Sequence, residues 1–376
     1  MPRFDTHVCL VSAQATPNLS PAIDPDFKPR RVVLAVSKGM ERQAAWLTAV
    51  LRRHALVVEQ FALDDPFDFY GCCDQFTSWL SEQGDGVALN VTGGTKVMAM
   101  AAQEVFRGDK RPVFYVNVDN DQLLFIDRAE PPFVLPTKIK LREYLEVHGY
   151  TLPKKPERPE IRASLREFAR RLCSESERMG QALGRLNSLA QGAMNSLVSP
   201  AMDDREPRNL NELVANFANE GLLSEKDGRL HFPDEAARFF VNGGWLEYVV
   251  SCDLSDLRSQ VGMADCAIGL EVLAPDGQTR NELDACFLYH NTLHIIECKS
   301  ANLAISGKTA DSRATESLYK LDALRRIGGL RTKAMLIDYR GSLDEHDRRR
   351  ASQLGISIAS GRELRDLKGK IKAWLA

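Results

Sequence analysis

This sequence predicts an α/β fold of two sheet domains joined by a helical connector, and three observations carry the prediction. Short apolar runs alternate with amphipathic helical stretches through the first part of the chain. A segment dense in proline and charge, TLPKKPERPE, interrupts that pattern at residues 151–160. The last third then returns to strands behind a helix. At 376 residues, with 44% hydrophobic and 27% charged positions, the chain can bury two or three cores, which excludes a disulfide-stapled miniature or an extended disordered protein. Forty-nine Lys plus Arg against 51 Asp plus Glu leave a formal net charge of −2, so any polyanion must be met by a local patch.

In the first domain HVCLVS and VVLAVS are apolar runs that end in small polar residues. ERQAAWLTAVLRRH and DQFTSWLSEQ carry helical spacing, and GVALNVTGG, PVFYVNVD and QLLFID return to strand character. Strands alternating with helices of this length predict a mainly parallel, doubly wound sheet, which binds ligands beyond the carboxyl ends of its strands. Three polar loops fall there. Thr92, Gly93, Gly94, Thr95 and Lys96 follow one strand and open a helix, where glycines permit close backbone approach, N-terminal amides favour phosphate and the lysine adds charge. Ser12, Ala13, Gln14, Ala15, Thr16, Pro17 and Asn18 follow the first strand, and Ser37, Lys38, Gly39 and Met40 follow the second. None is a GxGxxG or P-loop fingerprint, and a tight turn without ligand also fits the glycine pair.

Pro153, Pro156 and Pro159 forbid a regular helix across the break, which sets the expected division at residues 1–152, 153–240 and 241–376. Ile161, Leu165, Phe168, Leu172, Met179, Leu183, Leu186 and Leu197 approximate helical spacing and predict one or two connecting helices. NELVANFANEGLLSEKDGRLHFP reads as a helix followed by a hairpin turning at Asp227-Gly228. That order resembles a winged-helix unit, and a structural connector fits it equally.

The last domain begins with a helix over about 243–259. Three strands follow: MADCAIGLEVLA, NELDACFLYH after the PDGQ turn, and LHIIECKS after a tight Asn291-Thr292 turn. A helix (SRATESLYKLDALRRI), a strand (KAMLIDYR) and two helical stretches around a short strand complete a small α/β core.

Asp284 in NELDACF, with Glu297 and Lys299 in IIECKS, carries the sharpest chemical signal. Residues 297 and 299 are two apart on a strand and share a face, while Cys298 points to the other. Ile295 and Ile296, on opposite faces, predict burial on both sides. A glutamate and a lysine ending such a strand are costly unless partnered. With Asp284 on the neighbouring antiparallel strand, two carboxylates converge and suit a hard divalent cation with open water positions, Mg²⁺ or Mn²⁺. Such a cation acidifies bound water and offsets charge on a phosphate in the transition state. Lys299 would orient the water or neutralise phosphoryl oxygens, and Glu247 in WLEYVV is a candidate further metal ligand. The plain alternative is an ion pair of Lys299 with Glu297 or Asp284 inside an ordinary sheet.

Asp284 followed by Glu297-Cys298-Lys299, with Glu247 on the preceding helix, resembles the D…(D/E)xK signature of the PD-(D/E)xK nuclease superfamily. The resemblance covers about residues 240–376 and implies a restriction-endonuclease-like fold. Some members add a QxxxY motif on the next helix; here the frame reads Thr315 to Tyr319, and the glutamine's role is not carried over. The TGGTK loop of residues 92–96 resembles that of the CARF domains, Rossmann-like sensors of CRISPR-associated effectors, over about residues 5–150. Together the two resemblances imply an ancillary nuclease of type III CRISPR defence: a homodimer that binds a cyclic oligoadenylate, usually cyclic tetra-adenylate, across paired CARF domains. Metal-dependent cutting in that family falls on single-stranded DNA, single-stranded RNA or, as nicking, supercoiled duplex DNA.

From Lys299 to Lys372 the chain has 17 Lys plus Arg and nine Asp plus Glu, a local excess that suits phosphate contacts, although Arg348, Arg349 and Arg350 read as a solvated helix face. A ligand-gated transcriptional regulator would need a basic recognition helix, whereas NELVANFANE is acidic and Arg208 stands alone before it. A restriction or repair nuclease without a second messenger differs only in its response to ligand. The eight cysteines lack paired CxxC spacing and read as buried thiols. No run approaches a membrane span, which makes a cytoplasmic protein the expectation.

Overall fold

The computed structural model describes residues 4–135, 138–153, 162–203, 205–301 and 313–375. Pro156, Pro159 and Ile161 lie outside the described residues.

The first sheet has seven strands. β1 (Thr6–Leu10), β2 (Arg31–Ser37), β3 (Val57–Leu63), β4 (Val87–Asn90) and β5 (Val113–Asn117) are parallel, and β6 (Gln122–Phe125) and β7 (Phe133–Val134) continue antiparallel, in the order β3-β2-β1-β4-β5-β6-β7. Helices α1 (Thr16–Ile23), α2 (Glu41–Arg53), α3 (Phe69–Ser81) and α4 (Lys96–Gly108) connect the parallel strands. Strand order reverses between β1 and β4, which opens a crevice at their carboxyl ends.

Two elements of this domain depart from the sequence expectation. β3 forms although Glu59 and Gln60 break its apolar pattern, because its backbone pairs with β2 from Val57 to Leu63. α1 begins at Thr16, so Thr16, Pro17 and Asn18 start a helix instead of a loop. Proline suits a first helical turn, whose N–H groups have no partner in the helix. Pro21, farther along, cannot donate to the Pro17 carbonyl, and the side-chain amide of Asn90 takes that acceptor at 2.9 Å.

A short α5 (Leu141–Val147) follows, then the connector: α6 (Ala163–Ser174), α7 (Ser176–Gly192), α8 (Leu210–Asn219) and a hairpin of β8 (Ser224–Lys226) and β9 (Arg229–His231). Asp227 and Gly228 both take positive φ at its turn, as a two-residue hairpin loop requires.

The second sheet runs β10 (Asp265–Leu273), β11 (Arg280–Tyr289), β12 (Thr292–Lys299), β13 (Lys333–Asp338), β14 (Ile356–Ser360) in spatial order. Its first three strands form an antiparallel meander, and β13 and β14 join in parallel. The tight turn between β11 and β12 is His290-Asn291, one residue before the expected position, with both residues at positive φ. α9 (Glu235–Phe239) and α10 (Trp245–Val261) precede the sheet, α11 (Arg313–Arg325) precedes β13, and α12 (Glu345–Gln353) and α13 (Leu367–Leu375) flank β14. The sheet separates two cores. Ile296 belongs to the one containing α10, and Ile295 to the one containing α11.

Candidate active site

Glu247 reaches the sheet through a wide π-type turn, Phe240–Gly244, that opens into α10. Gly243 takes φ of 109° there, and a Cβ on it would lie 2.2 Å from Ser300 Oγ, so only glycine lets this turn close on the end of β12. Glu247 thereby occupies the first turn of a helix packed on β10, β11 and β12.

Asp284 sits where two ladders fail. β10 and β11 pair Ile268 with Ala285 and Leu270 with Leu283 and skip Gly269 and Asp284, Gly269 standing at φ of 56°. Ala285 faces one core and Leu283 the other, so the strand changes face at Asp284. The β11–β12 ladder likewise stops at Ala285 opposite Ile296. Beyond that point the Asp284 carboxylate accepts the Cys298 N–H at 2.7 Å, while β12 runs on beside β13 to Lys299 opposite Asp338. A local break in pairing that re-aims one side chain is a recurrent device beside functional sites.

Glu297 is wholly buried. Its Oε1 accepts from Lys299 Nζ at 2.6 Å and from Lys320 Nζ at 3.1 Å, whereas its Oε2, also buried, has no partner among the described residues. The Lys299–Glu297 ion pair weighed from the sequence therefore exists, but it uses only half of the carboxylate. Burial, then the neighbouring Glu297 charge, raises the Asp284 carboxyl to about 6 against the opposing pull of the Cys298 amide and two lysines. Burial, then the charges of Asp284, Glu282 and Glu297, raises Glu247 to about 8. Burial disfavours the Lys299 ammonium, yet Glu297 and Asp284 outweigh it and hold Lys299 above the usual lysine value. Carboxylates brought this close resist ionising together, and a bound cation would relieve their repulsion.

Among the described residues no three His, Cys, Asp or Glu side chains form a ready metal cage. The donors nevertheless fit a hard cation that keeps several of its own waters: Glu297 Oε2 and Asp284 supply anionic oxygen, and Glu247 shares their field. Cys298 is half-buried, and desolvation pushes its thiol well up, which disfavours the thiolate that a ligand or nucleophile would need.

At the crevice of the first sheet a polar network fixes the loops. Asn18 donates to the Leu10 carbonyl at 2.9 Å, Asn90 donates to Asn18 Oδ1 at 3.0 Å, and the Thr92 hydroxyl donates to Asn90 Oδ1 at 2.7 Å. Thr95 caps α4, its hydroxyl accepting from the Met98 N–H at 3.1 Å. A Cβ on Gly93 would stand 2.0 Å from the Leu10 carbonyl oxygen, so the neighbouring strand by itself requires glycine here. Ala15, Thr16, Pro17, Asn18 and Ser37 are buried, Ser12, Gln14, Met40, Thr92, Gly94 and Thr95 are partly exposed, and Ala13, Lys38, Gly39 and Lys96 reach solvent.

Two cavities open between the domains here. One of about 160 Å³ is lined by Gln14, Thr92 and Tyr115 of the first domain and by Asn291 and Arg331 of the second. Another of about 390 Å³ lies between Gln14 and Trp46 on one side and Arg325, Arg326 and Leu330 on the other. Sequence reasoning missed Asn90, Asn291, Lys320 and Arg331, because which faces of separate elements meet is not written in either element alone.

Residues 6–144 match the family model of the Card1 CARF domain, and residues 234–376 match that of the Card1-like endonuclease domain. The chain is a Card1-like CARF nuclease, an ancillary protein of type III CRISPR systems. Protein VC1899 from Vibrio cholerae shares the architecture of this CARF nuclease with a TM-score of 0.89 and 26% identity, over 98% of this chain and 97% of that one. Can2 from Sulfobacillus thermosulfidooxidans, solved in complex with cyclic tetra-adenylate, gives 0.83 and 25% over 99% of each chain. A type III CRISPR defence DNA nuclease activated by cyclic oligoadenylate shares the fold at 0.57 and 18%, over 90% of this chain and 45% of its own. No curated protein matches the sequence.

Much of the basic excess in the endonuclease domain of this CARF nuclease is engaged internally. Arg331 pairs with Asp119, Arg362 with Glu177, and Lys368 with Asp256. Arg350 lies over the Tyr319 ring at 5.4 Å and donates to the Thr315 hydroxyl, so it is not the purely solvated residue expected. All eight cysteines are free and none is fully exposed. No helix among the described residues is long and apolar enough to cross a membrane.

Proposed function

We propose that this CARF nuclease is a homodimeric endonuclease, dependent on Mn²⁺ or Mg²⁺, that a cyclic oligoadenylate switches on to cut single-stranded DNA or RNA or to nick supercoiled duplex DNA. The observation that carries the reading is the unpartnered Oε2 of buried Glu297 beside Asp284 and Lys299. A divalent cation bound there supplies an acidified water and a counter-charge for the phosphate. Asp284 and Glu297 would hold it, with Glu247 adding charge to the same pocket. The Cys298 amide fixes the aim of Asp284, and Lys299 meets the oxygen on which charge develops.

Cyclic tetra-adenylate is the favoured activator, supported by the Can2 complex and by three features at one edge of the CARF sheet: the N-terminus of α4, exposed Lys96 and exposed Lys38. The homodimer reading is supported by Phe67, Tyr70 and Met100, large apolar side chains exposed beside the capped start of α4.

Coupling follows from the β11–β12 hairpin. Its tip docks on the CARF domain: Asn291 Nδ2 donates to Asp121 at 3.0 Å, and the Ile139 N–H donates to Asn291 Oδ1 at 2.9 Å. Its strands carry Asp284 and Glu297 roughly 20 Å away at about 3.3 Å per residue. A ligand that shifts the tip therefore shifts both carboxylates. The test is an assay of single-stranded oligonucleotides and plasmid in Mn²⁺ with and without cyclic tetra-adenylate. Cutting only with activator is expected. Equal cutting in both removes the switch, and no cutting with any cyclic oligoadenylate removes the enzyme.

A further inference from the structure

Lys320 belongs to no motif, yet it shares Glu297 Oε1 with Lys299. It projects from α11 to within 3.1 Å of Glu297 Oε1, and its charge acts on Asp284 as well. The Lys299 side chain is 28% exposed and that of Lys320 56%, so Lys299 is held in the sheet while Lys320 keeps an open flank. Removing Lys320 would still leave Glu297 with its shorter bond to Lys299 at 2.6 Å. Lys299 already neutralises buried Glu297 and Lys320 is half exposed, so the fold gives Lys320 no strong structural reason to be there.

Charge balance points the same way. Three carboxylates of the pocket, Glu247, Asp284 and Glu297, face two ammonium groups, and the exposed Glu282 adds a solvent-screened charge at its margin. A divalent cation would leave one positive charge over, enough to balance the single negative charge of a phosphodiester. Lysine suits that task, since its flexible stem carries a point charge between nearby acceptors.

We propose that Lys320 is a second phosphate-binding residue of the nuclease centre, which leaves Glu297 to take a phosphate of the bound strand. This rests on the nuclease reading above, and its test does not depend on cutting. Equilibrium binding of a short single-stranded DNA is measured across salt concentrations in Ca²⁺ for the wild type, Lys320→Ala and Lys320→Arg, alongside direct Mn²⁺ titration and thermal melting of each. Lys320→Ala should bind the strand about tenfold more weakly and lower the salt slope by about 0.7, the share of one phosphate contact on single strands. Lys320→Arg should restore both, and Mn²⁺ affinity should be unchanged or tighter, because a competitor for Glu297 has gone. Unchanged strand binding and slope in Lys320→Ala would overturn the proposal. So would a loss of strand binding that accompanies loss of Mn²⁺ binding and is not restored by arginine, since Lys320 would then merely support Glu297. A wild type that binds the strand in Ca²⁺ but does not cut it in Mn²⁺ with a cyclic oligoadenylate would count against the nuclease reading and leave this comparison intact.

Discussion

Asn291, at the tip of the hairpin whose strands carry Asp284 and Glu297, donates its side-chain amide to the Asp121 carboxylate of the CARF domain at 3.0 Å. His290 meets the other oxygen of Asp121 at 3.3 Å, and Arg331 ties the same β5–β6 turn through Asp119 at 2.6 Å. The turn beside the sensor crevice and the turn at the tip of the nuclease hairpin are thus one bonded unit.

Breaking that unit should uncouple the two ends. Asp121→Asn keeps the shape of the side chain and removes its charge. It should bind cyclic tetra-adenylate with the wild-type constant while stimulation of cutting falls about tenfold, a coupling loss of about 1.4 kcal/mol. Calorimetry beside a cleavage assay measures the two quantities, and equal loss in both would mean that Asp121 serves the sensor alone.

Lys299→Ala should abolish most cutting, by about 10²–10³-fold for loss of a group that meets developing charge. Activator binding and the melting temperature should be retained, because Lys320 remains on Glu297. Single-turnover cleavage at saturating Mn²⁺ checks this.

The raised Glu247 carboxyl gives a signed pH dependence. Folding increases proton affinity from the ordinary carboxylate value to about 8. The advantage of the protonated folded state is therefore complete below about pH 4.5 and is lost as pH rises through about 8. The melting temperature of the metal-free protein should fall across that window, and Glu247→Gln should flatten the fall. Added Mn²⁺ should stabilise the wild type most at the alkaline end, where the carboxylate is free to bind.

Gly93→Ala should destabilise the CARF domain by about 1–3 kcal/mol, because the new methyl meets the backbone oxygen of Leu10 and not a yielding side chain. Thermal melting without ligand measures it. A variant as stable as the wild type would return the glycine to a role in ligand approach.

Two parts of the site could be read from the sequence for physical reasons. A glutamate and a lysine closing a strand of isoleucines are too costly to be incidental, and β12 carries both. The crevice at β1 and β4 follows from alternating strands and helices. Other parts could not be read. α1 carries Pro17 and Pro21, which argue against a helix until Asn90, distant in sequence, supplies the donor that Pro21 lacks. β3 is held by its partner strand and not by its own pattern. Lys320 is one of several polar residues on α11, and only the packing of that helix on the sheet tells it apart.

Direct titration of Mn²⁺ into the wild type and into Glu297→Gln, with Asp284→Asn beside them, bears on the centre of the account. Saturable binding by the wild type, lost in both variants while their folding is intact, is the expected result. Equal binding by all three, or none by any, would contradict it: the carboxylate pair would then be an internal ionic contact, and the cutting centre would lie elsewhere.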